Sequence, residues 1–285
     1  MTLIKMEIKK SLHNKAFYMS IVIGMVFAIL SLIYCVSIYN KDMTAMQNVG
    51  DIKAPITPIY SMFNHWIGGE AVSLGSSVFF FIFPLLCAIP YGWSYCVEKN
   101  SGYRRTIIVQ SGKRNYYMAK YIATFISGGL AMVIPMIFSF ILAAAYFPAI
   151  KPDVMYDIYY AVFKNSLMSE LFYTTPFLYV VIYLCIDFVF SGALACCSMA
   201  MAAFVKQKYV VTLVPFVICL ALHFSMKFTF DSTNPYNKEF SPFCYLRPCG
   251  ARYPASIEII GGTLLVILMI TLTIINIWEK RHEIY

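Results

Sequence analysis

The chain has 285 residues, 60% of them hydrophobic and only 13% charged, with a mean hydropathy of +0.69 and a formal net charge of +8. That balance excludes an ordinary soluble domain, in which about a quarter of the residues are charged. Uncharged runs at 16–40, 71–97, 121–150, 209–226 and 259–278, with a sixth at 171–205 broken only by Asp187, take more than half the length and leave almost none for a soluble catalytic domain.

The opening stretch, MTLIKMEIKKSLHNK, places Ile4, Ile8 and Leu12 at helical spacing beside Lys5, Lys9 and Lys10. This predicts an amphipathic helix over 1–15 lying in the headgroup layer. A secretory leader also runs from a basic to an apolar stretch, but the 25 uncharged residues of 16–40 contain no small-x-small site closing a short core. The run is read as a retained first span. In the following loop, 41–70, Pro55 and Pro58 break regular structure and Trp66 suits an interfacial anchor, while His65 and Glu70 alone make no metal site. The second run opens with LGSS at 74–77, small residues that permit close helix packing.

Between the second and third runs lies EKNSGYRRTIIVQSGKRNYYMAK, residues 98–120, with six Lys and Arg and the single acid Glu98. Gly102 and Gly112 bracket YRRTIIVQS and are natural ends for a short helix. That helix mixes Ile107, Ile108 and Val109 with Arg104 and Arg105, a composition suited to a place between headgroups and another protein. A basic loop that only fixes topology has the same charge count.

The third run carries Pro135, which predicts a kink or tilt, and the fourth begins with an interfacial segment near FYTTPF. Asp187, deep in the fourth run, costs about 2.5–3.5 kcal/mol at mid-membrane, so it faces a bundle interior or an aqueous cavity, or is protonated. Tyr183 and Ser191 lie one turn to either side and can share hydrogen bonds with it. A structural anchor and a lining residue of a polar transport cavity both fit. Pro215 marks the fifth run. The last loop, 227–258, holds four prolines and many aromatics, and is expected to fold back as an extracellular re-entrant segment. Within it Cys244 and Cys249 either close a small disulfide ring or remain two free thiols; their spacing fits no zinc pattern.

These features predict an all-α fold, a single transmembrane domain over 1–285 with six transmembrane helices. With the N-terminus inside, 14 of the 22 Lys and Arg fall on inner segments, and so both termini are expected to be cytoplasmic. The net charge then reflects sidedness toward membrane lipids and needs no nucleic-acid partner. G-x-x-x-x-G-K-[ST], H-E-x-x-H and G-x-S-x-G are all absent, and no metal site is expected.

The order of features around residue 100 resembles the type-2 permeases of ABC transporters. Such permeases carry an acidic residue just after the second helix, a Gly-containing short helix, a second turn with a basic residue, and a Lys opening the third helix; here these are Glu98, SGYRRTIIVQ, SGKRNYY and Lys120. The basic approach MEIKKSLHNK and the six-span pattern extend the resemblance over essentially the whole chain, although Tyr103 stands where many members carry Thr. The resemblance implies a subunit with no ATPase site and no cofactor of its own. A separate ABC ATPase (nucleotide-binding) subunit would hold ATP and Mg and receive a coupling helix between helices 2 and 3. Glu98, Gly102, Tyr103, Arg104, Arg105, Ile107, Ile108 and Gly112 are then the coupling residues. A second permease copy or paralogue would complete a dimer in a bacterial plasma membrane, with the first, second and fifth spans around a pathway that exports an amphipathic substrate such as a peptide or drug. A non-transporting sensor or immunity scaffold that binds antimicrobial peptides is the alternative.

Overall fold

The computed structural model describes residues 2–49, 60–229, 238–250 and 253–281, and every regular element among them is helical. In chain order these are α1 (Thr2–Leu12), α2 (Lys15–Val49), α3 (Leu74–Ala88), α4 (Ser94–Asn100), α5 (Tyr103–Ser111), α6 (Lys113–Tyr146), α7 (Asp157–Tyr160), α8 (Ser169–Thr174), α9 (Pro176–Met201), α10 (Lys208–Thr229), α11 (Pro242–Tyr245) and α12 (Ile257–Arg281). Five of them carry stretches long and apolar enough to cross a bilayer: Lys15–Ala45, Lys113–Tyr146, Pro176–Met201, Lys208–Ser225 and Ile257–Glu279. The chain is a multi-pass membrane protein.

The run at 71–97, expected to be a sixth span, is not one continuous helix. α3 has 15 residues, about 22 Å at 1.5 Å per residue, short of the roughly 30 Å hydrocarbon core. Turns occupy 89–93 and the helix restarts as α4. Pro90 has no N–H to offer a helix. Gly92 is pressed onto α9, where an added Cβ would lie 2.6 Å from the Ser198 Cβ and 2.8 Å from the Ala88 carbonyl. The fourth run divides as expected, with short α8 ending before Pro176, which opens α9 from its first turn.

Antiparallel α6 and α9 form the centre of the bundle, because small residues let them touch. A Cβ on Gly128 would lie 2.4 Å from that of Ala195. One on Gly192 would lie 2.8 Å from the Phe125 carbonyl, so backbone meets backbone at the crossing. α6 continues as one helix through Pro135, whose ring fills the space that the missing Gly24 side chain leaves on α2. Phe79, Phe80, Phe83, Met132, Tyr183 and Phe190 fill the core around this pair. The outward faces of α2, α10 and α12 stay apolar and exposed, as at Ile33, Val217 and Met269.

The described part of loop 227–258 folds back onto the bundle. Tyr179 donates to the Pro248 carbonyl at 2.9 Å, and Arg247 Nη2 donates to Ser76 Oγ at 3.0 Å. Residues 230–237 and 251–252 of that loop lie outside the described residues, as do Pro55 and Pro58. Cys244 and Cys249 are separate thiols, and the buried Cys249 donates to the Gly68 carbonyl at 3.3 Å. Trp66 is not at a lipid surface. It is 1% exposed, with its indole N–H donated to the Phe63 carbonyl at 3.0 Å, and it packs edge-on against Phe140.

Candidate functional site

α1 forms where its sequence predicts, but the centre of its buried face is not the aliphatic stripe. Glu7 and Ser11 are fully buried, Ile4, Ile8 and Leu12 are half-buried along the flanks, and Lys5 and Lys9 face solvent. A buried acid needs a counter-charge, and α6 supplies it. Lys120 Nζ, itself fully buried, donates to Glu7 Oε2 at 3.1 Å, to Glu98 Oε1 at 2.7 Å and to the Tyr91 hydroxyl at 3.0 Å, with its charge 4.5 Å from the Tyr91 ring centre. Tyr91 donates to Glu7 Oε2 at 2.5 Å, and Tyr116 to Glu98 Oε2 at 2.6 Å. Lys10 closes the cluster from the solvent side at 2.5 Å from Glu98 Oε1.

Two carboxylates therefore meet two ammonium groups, and the cluster ties α1, the 89–93 turn, α4 and α6 together. Burial alone would raise the Glu98 carboxyl; the Lys120 charge, with hydrogen bonds from Lys10, Lys120 and Tyr116, outweighs that and holds it below the ordinary value of 4.5.

α5 leaves this hub as a separate short rod. Gly102 and Gly112, its two ends, have φ of +76° and +81°, and neither has a heavy atom within 4 Å of a built Cβ. Backbone conformation and not crowding therefore calls for glycine at both positions. Ile107 and Ile108 are 6% and 7% exposed and pack on Tyr95, Tyr116, Tyr117, Met199 and Ala202. They face the chain's own core, neither lipid nor a partner. Arg104 bends back to donate to the Tyr95 hydroxyl at 3.1 Å. Tyr103, Arg105 and Val109 form the exposed side, Val109 at 73%. Of the eight residues grouped by the resemblance, the structure thus places three side chains inward, at Glu98, Ile107 and Ile108, with Arg104 partly turned in.

α4 is fastened from its other side as well. Asn100 donates to the Lys206 carbonyl at 2.8 Å, Cys96 donates to the same carbonyl at 3.0 Å, and Lys99 donates to the Ala203 carbonyl. The platform under α5 thereby reaches the α9–α10 turn.

Asp187 lies apart from this site, fully buried within α9. The hydrogen bonds expected from its neighbours do not form: among the described residues neither Asp187 oxygen has a partner, Ser191 Oγ has none, and Tyr183 pairs with Tyr179. Among the described residues no group of three His, Cys, Asp or Glu could hold a metal ion. Glu7, Lys10, Tyr91 and Tyr116 belong to the site and were not singled out from the sequence. The available signal was Glu7, the only acid in the first 41 residues. The arrangement binds helices to one another, and its chemistry is charge pairing and hydrogen bonding in a largely buried cluster whose outer cation, Lys10, reaches solvent. No protein-family model matches the chain, and no curated protein does.

Proposed function

We propose that the chain is the membrane-spanning subunit of an ATP-driven exporter in a bacterial plasma membrane, with both termini and α5 on the cytoplasmic side. One observation carries this reading: α5 is a glycine-ended rod with an exposed face of Tyr103, Arg105 and Val109, seated on a buried ionic hub that joins it to α1 and α6. A partner ATPase subunit, holding ATP and Mg, would press on that face. The load would pass through Ile107 and Ile108 to the α4–α6 platform, and through Glu98, Lys120 and Glu7 to α1 and α6. With α3 and its α4 continuation counted as one crossing, the chain has six, and a second copy or paralogue completes the pathway along α2, α3 and α10. Asp187 keeps its place in this proposal as a candidate pathway group only for a state in which the α9 seam opens.

The test is co-purification of the chain with an ABC ATPase subunit from its own cells, followed by ATPase stimulation in the reconstituted complex. Arg105→Glu with Val109→Glu alters only the exposed face of α5, and it should abolish stimulation while the protein keeps its thermal stability. Full stimulation by that double variant overturns the docking proposal. Failure to assemble with any ATPase, joined to peptide binding, supports the sensor alternative.

A further inference from the structure

A lateral groove of about 650 Å³ runs between α2, α3 and α10, lined by Ala16, Met19, Leu85, Ile89, Thr212 and Leu213. Its walls are almost wholly apolar, and Trp93, Lys208 and Tyr209 line one end. Across Trp93 a second cavity, about 410 Å³, is lined by Lys10, His13 and Asn14 among others. Trp93 is held as a partition by donation of its indole N–H to the Ile89 carbonyl at 2.8 Å.

Two features fix the chemistry of an occupant. Lys15 and Lys208 are the first residues of two membrane-crossing stretches, so the Lys208 end of the groove lies at headgroup depth and the rest at acyl-chain depth. Lys208 also has no carboxylate partner among the described residues; its ammonium lies 5.0 Å from the ring centre of the exposed Tyr209. The one acid in the adjoining cavity, Glu98, is already neutralised by Lys10 and Lys120. A cation without a counter-charge at the mouth of an apolar slot matches a ligand with one negative head and one aliphatic tail.

We propose that this groove is a specific site for an anionic glycerophospholipid. The proximal acyl chain lies against Met19, Leu85 and Leu213, the phosphate sits at Lys208, and the headgroup extends over Trp93 toward His13. The site lies on the same three helices as the proposed pathway, but lipid retention is read without an ATPase or transport and so stands or falls separately. An occupant there wedges α10 against α2 and α3, and so biases how those helices pack.

Delipidated full-length protein in neutral detergent, titrated with phosphatidylglycerol or with phosphatidylcholine of the same chains and followed by native mass spectrometry, tests the proposal. One phosphatidylglycerol should be retained in preference to phosphatidylcholine. Lys208→Glu should cut that preference by about fivefold or more, on the basis of roughly 1 kcal/mol per surface lysine. Leu213→Trp, which fills the slot, should lower retention of both lipids, and Lys151→Glu, on a distant loop, should change neither. Equal retention of the two lipids by the unaltered protein overturns the proposal. So does an undiminished preference in Lys208→Glu, or displacement of the lipid by an equal concentration of inorganic phosphate, since the last would give the acyl chain no part.

Discussion

Lys120 is the residue on which the packing of α1 against α4 and α6 turns, because it is the only fully buried cation among the described residues and serves two acids from different helices. Lys120→Met removes the charge and leaves Glu7 and Glu98 facing each other, which should cost about 3–5 kcal/mol, as for other broken buried pairs. The expected pH dependence has a definite sign. Glu98 is held below 4.5 in the fold, so its favourable coupling is complete above that value and lost as pH falls below it. The stability difference between the unaltered protein and Lys120→Met, measured by thermal unfolding in detergent, should therefore be constant near neutrality and shrink below pH 4.5. A difference that grows on acidification would mean that Glu98 is not the main partner. The sequence displayed Glu98 as a lone acid because its partners are remote in the chain. Lys10 lies 88 positions away and Lys120 lies 22 away, and Glu7 meets Lys120 across 113. Periodicity could place Ile4 and Ile8 near a buried face of α1, but not reveal that an acid occupied its middle.

Among the elements, α5 was legible and α3 was not, and the reasons differ. α5 is delimited by its own glycines, a local signal, and the structure places its ends at those residues. The break after α3 depends on contact between Gly92 and Ser198, 106 positions apart, which no local pattern carries. Pro90 alone does not predict it, since α6 runs unbroken through Pro135 and α10 contains Pro215. Gly112→Val places a β-branched residue at φ +81° and ψ 149°, a region open almost only to glycine, at a cost of about 1–3 kcal/mol. The variant should either unwind the last turn of α5 or shift its junction with α6. Hydrogen exchange of amides 103–111 reads this directly, and faster exchange confined to that segment is the expected result. Unchanged protection would show that the junction tolerates the strain.

For the whole molecule, hydropathy gave the membrane class and five of the crossing stretches, since about 20 apolar residues suffice to mark each. It missed that one end of the bundle is held by buried charge pairs beside its apolar contacts. The expected topology puts both chain ends on the cytoplasmic face, the more basic one. Fusion of a green fluorescent protein after residue 285 should give fluorescent cells, and a protease site inserted in the 151–168 loop should be cut from outside. Dark fusions combined with an externally protected loop would reverse the orientation, and with it the docking of any ATPase on α5.

The long sequence separations in the hub also bear on biogenesis. Glu7 lies early in the chain, yet the cation it pairs with, Lys120, belongs to the second long apolar helix. During synthesis α1 therefore cannot take its final seat until some 113 further residues have been made and α6 has entered the membrane. The contact is a late closure: it fastens α1 only after α6 has entered the membrane, and a nascent chain stopped before α6 would carry Glu7 without its buried partner.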